Sequence, residues 1–306
     1  MKKIFALLFS CCLVPSVVLA APEQTFDSSD DAIKALTTAA ENKDADALEK
    51  IFGPTLHVLR SPDPVQASNG LATFSRRMSE KVSPITTSDS RIELNIGSDR
   101  WPFPIPLVKD GGQWHFDTEA GEEEILNRRV GRDELATIRV CRAYVDAQRE
   151  YASADREGDG IIQYAQRLRS TTGQKDGLYW HVEPGDEMSP LGPLIAQAHG
   201  EGYTHQSKIM TEAQVPYNGY YFKVLTKQGP QAPGGKYNYI INGHMVAGFG
   251  LVAWPAEWGN SGVMTFIVNQ EGKVYEANLG EKTASIAMKM QAYDPDESRW
   301  RAVGSR

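Results

Sequence analysis

Apolar residues recur at helical spacing in the first part of the chain. The spacing predicts helices over residues 28–40, 46–52 and 68–82. Ser28 or Ser29 can cap the first of them, because a serine hydroxyl accepts a hydrogen bond from the open N–H groups of a helix start. Strand-like patterns begin only after these helices.

The pattern then changes to alternation. Residues 91–96 alternate like a strand, and residues 107–116 predict a β-hairpin around a Gly-Gly turn. Between them, prolines occupy every second position over residues 102–106, which predicts an edge or irregular extended segment. Helices followed by a curled antiparallel sheet indicate an α+β unit that ends near residue 130.

The clearest helical pattern covers residues 132–155, where two adjacent apolar stripes form a broad face. A short helix is predicted over residues 191–198. Extended segments are predicted at 220–226, 236–241, 247–254, 263–269 and 273–276. One long helix packed on an antiparallel meander makes a second α+β unit, so the predicted domains are residues 21–130 and 131–306.

The first 20 residues have the layout of a secretory signal peptide. A basic start at Met1-Lys2-Lys3 precedes an apolar stretch that ends at Ala20. Cleavage after Ala20 is expected, because a cut after Ala21 would leave Pro22 as the first residue. We therefore expect an exported product, periplasmic or secreted, without a membrane span after cleavage.

Charge and cysteine content narrow the classes of function. The chain has 32 Lys and Arg against 39 Asp and Glu, a net charge of -7, whereas a nucleic-acid binder needs a basic surface. Cys11 and Cys12 leave with the signal peptide, so Cys141 remains alone and a disulfide framework is excluded. Its place on an apolar stripe predicts a buried, inert thiol.

One acidic segment resembles the start of an EF-hand calcium loop. Asp155, Glu157 and Asp159 occupy its first, third and fifth positions, followed by Gly160. Gln166 stands at the twelfth position, where a bidentate glutamate is wanted. The alternative is an acidic turn that ends the helix. Calcium at Asp155, Glu157 and Asp159 is the one cofactor that the sequence suggests, and no other is expected.

Aromatic residues cluster in the second half. Tyr179, Trp180, Trp254 and Trp258 lie among glycines and prolines. They can form an exposed platform for a glycan, a peptide or an envelope protein, or they can fill the core of a domain without disulfides. Trp258, in a loop rich in Gly and Asn, is the best candidate for exposure.

Several long motifs resemble one bacterial family. They include Trp101-Pro-Phe-Pro-Ile-Pro-Leu-Val, Trp114-His-Phe-Asp-Thr-Glu-Ala-Gly and Leu251-Val-Ala-Trp-Pro-Ala-Glu-Trp-Gly-Asn-Ser-Gly-Val-Met-Thr-Phe. The family is number 2950 among the domains of unknown function, found in exported bacterial proteins, and the resemblance implies no activity. Residues 26–128 also resemble nuclear-transport-factor-two-like cone folds. Residues 132–280 resemble the heads of type IV pilins and pseudopilins.

These observations favour a non-enzymatic periplasmic binding or envelope-assembly module, with an envelope protein or a glycan as partner. A second hypothesis is a hydrolase or transferase that uses Asp63, His115 and Asp117, because cone folds often enclose a pocket. A third is a structural module stabilised by calcium.

Overall fold

The structure, a computed structural model, describes residues 23–183, 185–203 and 215–304. The predicted signal peptide, residues 1–20, lies outside these ranges. The fold is α+β, as the sequence pattern predicts. The helices are α1 (Ser29–Glu41), α2 (Ala45–Phe52), α3 (Leu56–Leu59), α4 (Pro64–Glu80), α5 (Thr118–Tyr151), α6 (Gly192–Gly200) and α7 (Thr283–Lys289). The strands are β1 (Val82–Ser88), β2 (Arg91–Ile96), β3 (Trp101–Asp110), β4 (Gln113–Phe116), β5 (Tyr220–Leu225), β6 (Lys227–Gln228), β7 (Tyr237–Asn238), β8 (Ile240–Ile241), β9 (His244–Met245), β10 (Gly250–Pro255), β11 (Met264–Asn269), β12 (Tyr275–Asn278), β13 (Ala292–Tyr293) and β14 (Arg301–Ala302).

The first unit is an antiparallel sheet in the order β1-β2-β3-β4, with helices on one face. Ser28 caps α1 by accepting the N–H of Asp31, as predicted. The sequence pattern does not predict strand β1. Most of its side chains are exposed, so the strand carries no apolar alternation, and the predicted third helix ends at Glu80 instead of running into it.

The proline-rich segment forms the first half of β3 and pairs with β2. Strand β4 pairs only with residues 107–110 of β3, so the prolines have no strand on that side. A residue without an N–H is tolerated where no ladder bond is needed. The predicted edge character therefore holds for this half of the strand.

Helix α5 begins 14 residues before the predicted start at residue 132. Asp117 caps it by accepting the N–H of Ala120 at 3.0 Å. The first half packs on β3 and the second half on β10 and β11, so the predicted domain boundary near residue 130 lies inside one continuous helix. Although α5 has 34 residues, neither it nor another helix in the described ranges is long and apolar enough to cross a membrane.

The second unit is built on an antiparallel sheet in the order β14-β12-β11-β10-β5. One face packs against α5 in a core that contains Tyr144, Tyr151 and Phe266. The other face packs against α7 around Trp254 and Tyr293. The predicted arrangement of a long helix on a meander is confirmed, and Cys141 is buried as expected. Leu135, an apolar residue within the predicted helix over residues 132–155, is exposed.

Two glycines in α5 give a matched pair of predictions. An added Cβ at Gly131 would meet nothing within 4 Å. We expect Gly131→Ala to raise the free energy of unfolding by about 0.5–1 kcal/mol, because glycine disfavours a helix interior by roughly that amount.

Gly121 is the control, because the same change there meets the backbone of β3. Its Cβ would lie 2.7 Å from Ile105 Cγ1 and 3.0 Å from Ile105 Cα. Gly121→Ala should lower the free energy of unfolding by about 1–3 kcal/mol, the usual range for overpacking. Urea unfolding followed by circular dichroism measures both, and two shifts of the same sign would contradict the packing described for α5.

Candidate functional site

A cavity of about 760 Å³ lies between α4, β3 and the first half of α5. Three residues from the second unit, Glu201, Tyr203 and Asn218, also line it. Its volume falls within the range of about 300–1,000 Å³ that is typical of small-molecule pockets. A second cleft of about 660 Å³, along β12, is lined largely by charged and polar side chains. The first cavity is therefore the better candidate for a ligand site.

Helix α4 forms one wall of the cavity. Asp63 caps the helix, with its Oδ1 accepting the N–H groups of Val65 at 3.0 Å and Gln66 at 3.2 Å. Side chains three or four positions apart share one face of a helix. Nine residues of α4 line the cavity, and among them Ala67, Gly70, Phe74 and Arg77 follow this spacing.

Aromatic rings from α2, α4 and β3 form the apolar part of the wall. The ring centroid of Phe103 lies 5.5 Å from that of Phe74, 6.1 Å from that of Phe52 and 6.4 Å from that of Trp101. Phe74, Trp101 and Phe103 are only half-buried, which leaves ring surface open to the cavity. A bound apolar molecule would cover this surface and gain the free energy of its burial.

Two arginines stack on Trp101 at one end of the cavity. The guanidinium carbons of Arg77 and Arg128 lie 5.0 Å and 5.2 Å from its ring centroid, within the range of a cation–π contact. Each arginine also has a carboxylate partner: Arg77 Nη2 lies 2.8 Å from Asp99 Oδ2, and Arg128 Nε lies 2.6 Å from Glu124 Oε1. The positive charge at this end is therefore neutralised locally.

A third arginine, Arg129, is buried at the junction of the two units. Its guanidinium donates hydrogen bonds to the carbonyl oxygens of Leu59 and Arg60 and to Oδ1 of Asn260. Burial lowers the pKa of Arg129, because the charged form loses hydration. These bonds tie α5 to the end of α3 and to the loop before β11.

The carboxylate of Asp63 joins the same junction. Its Oδ2 accepts hydrogen bonds from the hydroxyl of Tyr203 at 2.7 Å and from the N–H of Gly219 at 3.1 Å. Gly219 has φ +75°, and a Cβ there would lie 2.8 Å from Oδ2 of Asp133. Both the backbone angle and the close approach require glycine at this position.

Asp133 is fully buried beside Asp63. Its Oδ1 accepts hydrogen bonds from Gln66 Nε2 at 2.9 Å and from Arg132 Nε at 3.1 Å. Its Oδ2 is buried and has no hydrogen-bond partner in the described part of the chain. Burial raises the pKa of Asp133 to about 6, although Arg132 and Gln66 favour the charged form.

A family model described as "Protein of unknown function (DUF2950)" matches residues 23–303. The chain belongs to this family. No curated protein and no solved structure matches it, so the resemblances to cone folds and to pilin heads are not confirmed.

The four aromatic residues singled out in this DUF2950 protein lie in different surroundings. Trp180 is 8% exposed in the core beside α5, and Trp254 is 7% exposed in the core on the other face of the sheet. Tyr179 is half-buried against the first of these cores. Trp258 is half-buried and donates from Nε1 to Oδ1 of Asn278 at 3.0 Å. The rings serve two cores and a loop, and they do not form one platform.

The acidic segment of this DUF2950 protein uses its carboxylates as local hydrogen-bond acceptors. Asp155 accepts the N–H groups of Gly158 and Gly160, which hold its pKa below the ordinary value. Asp159 accepts the N–H of Ile161, and Glu157 accepts the hydroxyl of Tyr151. Within the described ranges, no group of three or more His, Cys, Asp or Glu side chains could hold a metal ion. Calcium binding at this segment stays a prediction.

The three residues of the hydrolase hypothesis do not meet in the cavity. Asp63 and Asp117 cap α4 and α5, and His115 Nε2 lies 4.0 Å from Glu23 Oε2. None of the three is part of the cavity lining. Helix capping therefore accounts for Asp63 and Asp117. The hydrolase or transferase hypothesis required the three side chains to share one pocket, and they do not.

Sequence reasoning missed the arginines that the fold gathers around the cavity. They come from α4, α5 and the segment after α3, so no local pattern contains them all. The one available signal is the spacing of Arg128, Arg129 and Arg132, because Arg132 follows the other two by four and three positions and so shares a helix face with each.

The titration of Asp133 predicts a pH-dependent stability. The folded state holds this proton more tightly than the unfolded chain does, since the pKa rises from 3.8 to about 6. Protonated Asp133 therefore makes its full contribution to the free energy of unfolding below about pH 4. This contribution is lost as the pH rises through about 6.

Asp133→Asn should remove this contribution. The free energy of unfolding of the original protein, minus that of Asp133→Asn, should increase as the pH falls from 7 to 4. Urea unfolding across this range measures the difference, with Asp146→Asn on the exposed face of α5 as the control. A difference that stays flat would show that Asp133 is ionised equally in the folded and unfolded states.

Proposed function

We propose that this protein is an exported, non-enzymatic binding protein and that the cavity beside α4 binds an apolar small molecule. The observation that carries the proposal is the open ring surface of Phe74, Trp101 and Phe103 inside a cavity of about 760 Å³. Apolar walls with a few convergent polar groups are characteristic of ligand pockets.

The polar groups of the wall favour binding over catalysis. Most of its charged side chains are arginines, which stay protonated and so serve poorly as general acids or bases. The buried carboxylates nearby, Asp63 and Asp133, are not part of the lining, and all of their oxygens except Oδ2 of Asp133 accept hydrogen bonds. A planar guanidinium is suited to holding an anion in place.

The cavity is also a better binding site than the aromatic residues of the second unit. A platform for a glycan or an envelope protein needs several exposed rings on one surface. Trp180 and Trp254 each show less than a tenth of their surface, and they belong to separate cores. The rings around the cavity, in contrast, lie together and are partly open.

Filling the cavity should abolish binding of an apolar ligand. Ala67 lines the cavity, and Ala67→Trp would place an indole ring inside it. We expect the affinity for the neutral fluorescent probe N-phenyl-1-naphthylamine to fall at least tenfold, as measured by fluorescence titration. Circular dichroism before titration confirms that the variant is folded.

Ala72→Trp is the matched control, because Ala72 lies on the same helix but is exposed and outside the lining. It should leave the affinity for the probe within about twofold. If both variants weaken binding equally, or if the original protein does not bind the probe, the cavity is not the binding site.

Export is tested by the mature N-terminus. When the full chain is expressed in a Gram-negative bacterium, we expect the periplasmic fraction to contain a protein that begins at Ala21. Ala20→Phe should block processing, because the peptidase accepts only small residues next to its cleavage site. Intact mass measurement distinguishes the two forms. A cytoplasmic protein that retains residues 1–20 would contradict export.

A further inference from the structure

The charge of the cavity wall is opposite in sign to that of the whole protein. Five arginines line the cavity, Arg60, Arg77, Arg128, Arg129 and Arg132, and the only acidic side chain among the described lining residues is Glu201. The chain as a whole has a net charge of -7. Charges of one sign in a cleft with apolar walls focus the electric field on whatever enters. The positive charge of the wall therefore attracts an anionic group.

The two ends of the cavity differ in how many of their arginines have carboxylate partners. At the Trp101 end, Asp99 and Glu124 pair with the arginines at 2.8 Å and 2.6 Å. At the other end, the exposed guanidinium of Arg60 forms no hydrogen bond or ion pair with any residue that the structure describes. The guanidinium group whose N–H donors are unused therefore lies at the Arg60 end.

Arg132 lies at the same end as Arg60. Gln66 Oε1 accepts a hydrogen bond from Ser61 Oγ at 2.9 Å and lies 3.5 Å from Arg132 Nη2. Ser61 directly follows Arg60, so the backbone of Arg60 lies at the same polar corner as Arg132, and both residues line the cavity. Arg132 is 62% exposed, and its bonds to Asp133 and Gln66 use only part of its five donors.

The distance along the cavity suits a ligand with two unlike parts. From Gln66 to Arg77, α4 rises by about 16 Å, at 1.5 Å per residue. Phe74 and the facing Phe103 lie along this length. A molecule that reaches from the polar corner to these rings needs a charged group at one end and an apolar body behind it.

We propose that the ligand is an amphiphile with an acidic head group, a carboxylate or a phosphate, bound by Arg60 and Arg132 with its apolar tail against Phe74 and Phe103. This inference rests on the proposed function above, because it requires that the cavity binds an apolar body. It adds the charge of the ligand, its orientation and the side chains that recognise it.

The test compares ligands that share a tail and differ in the head. Laurate, dodecyl phosphate and dodecanol each displace N-phenyl-1-naphthylamine from the full chain, and the competition gives three affinities. We expect laurate and dodecyl phosphate to bind at least tenfold more tightly than dodecanol. Their advantage should shrink as salt concentration rises, because salt screens exposed charges.

Substitutions then locate the head group. In the double variant Arg60→Gln and Arg132→Gln, the affinity for laurate should fall to that for dodecanol, while dodecanol itself changes less than twofold. Arg60→Gln alone should cause a smaller loss of the same kind, and the exposed Arg60 side chain makes no bond that folding needs. Arg76→Gln is the control, because Arg76 is an exposed residue of α4 that pairs with Glu80 and lies outside the lining.

Each outcome separates the two proposals. If laurate and dodecanol bind equally well, or if Arg60→Gln and the double variant lower both affinities alike, the acidic head is wrong and the apolar cavity stands. If inorganic phosphate displaces the probe as well as dodecyl phosphate does, the ligand is a small anion and the tail is wrong. If neither the probe nor any of the three ligands binds, the proposed function itself fails.

Discussion

The structure depends on the continuity of α5. One helix of 34 residues contributes its first half to the core of the four-stranded sheet and its second half to the core of the five-stranded sheet. Because a helix is stiff over this length, it sets the relative orientation of the two sheets. Gly121 allows its first half to approach the backbone of Ile105 closely. The same helix places Arg129 at the junction of the two units and Arg132 in the lining of the cavity.

Buried polar groups fix the position of the two units relative to each other around that helix. Asp63 accepts from Tyr203 and Gly219, while Arg129 reaches Asn260 in the loop before β11. Burying a charged or polar group costs free energy unless its partners are all in place, so such contacts favour one docking geometry over others that bury the same apolar area. Two residues of this junction, Arg129 and Tyr203, line the candidate cavity. Its shape therefore depends on the same hydrogen bonds.

Local signals predicted most elements, and their failures have physical causes. Ser28 capped α1 as expected, and the hairpin after β3 formed where Gly111 and Gly112 allow a tight turn. The first half of α5 was missed because its exposed face is rich in glutamate, which hides the apolar period, although Asp117 was available as a cap. The resemblance to cone folds suggested a pocket in the first unit, but its lining residues could not be predicted, since they come from helices, two strands and loops that are distant in sequence.

The sequence by itself determined the fold class and the family, and it limits the chain to three cysteines. These properties follow from periodicity, from long contiguous motifs and from composition, all of which can be read locally. Only the tertiary structure decided that Trp180 and Trp254 are core residues and that five arginines surround one apolar cavity. Burial and the gathering of like charges depend on which elements pack together, and that packing is settled by contacts between residues far apart in the chain.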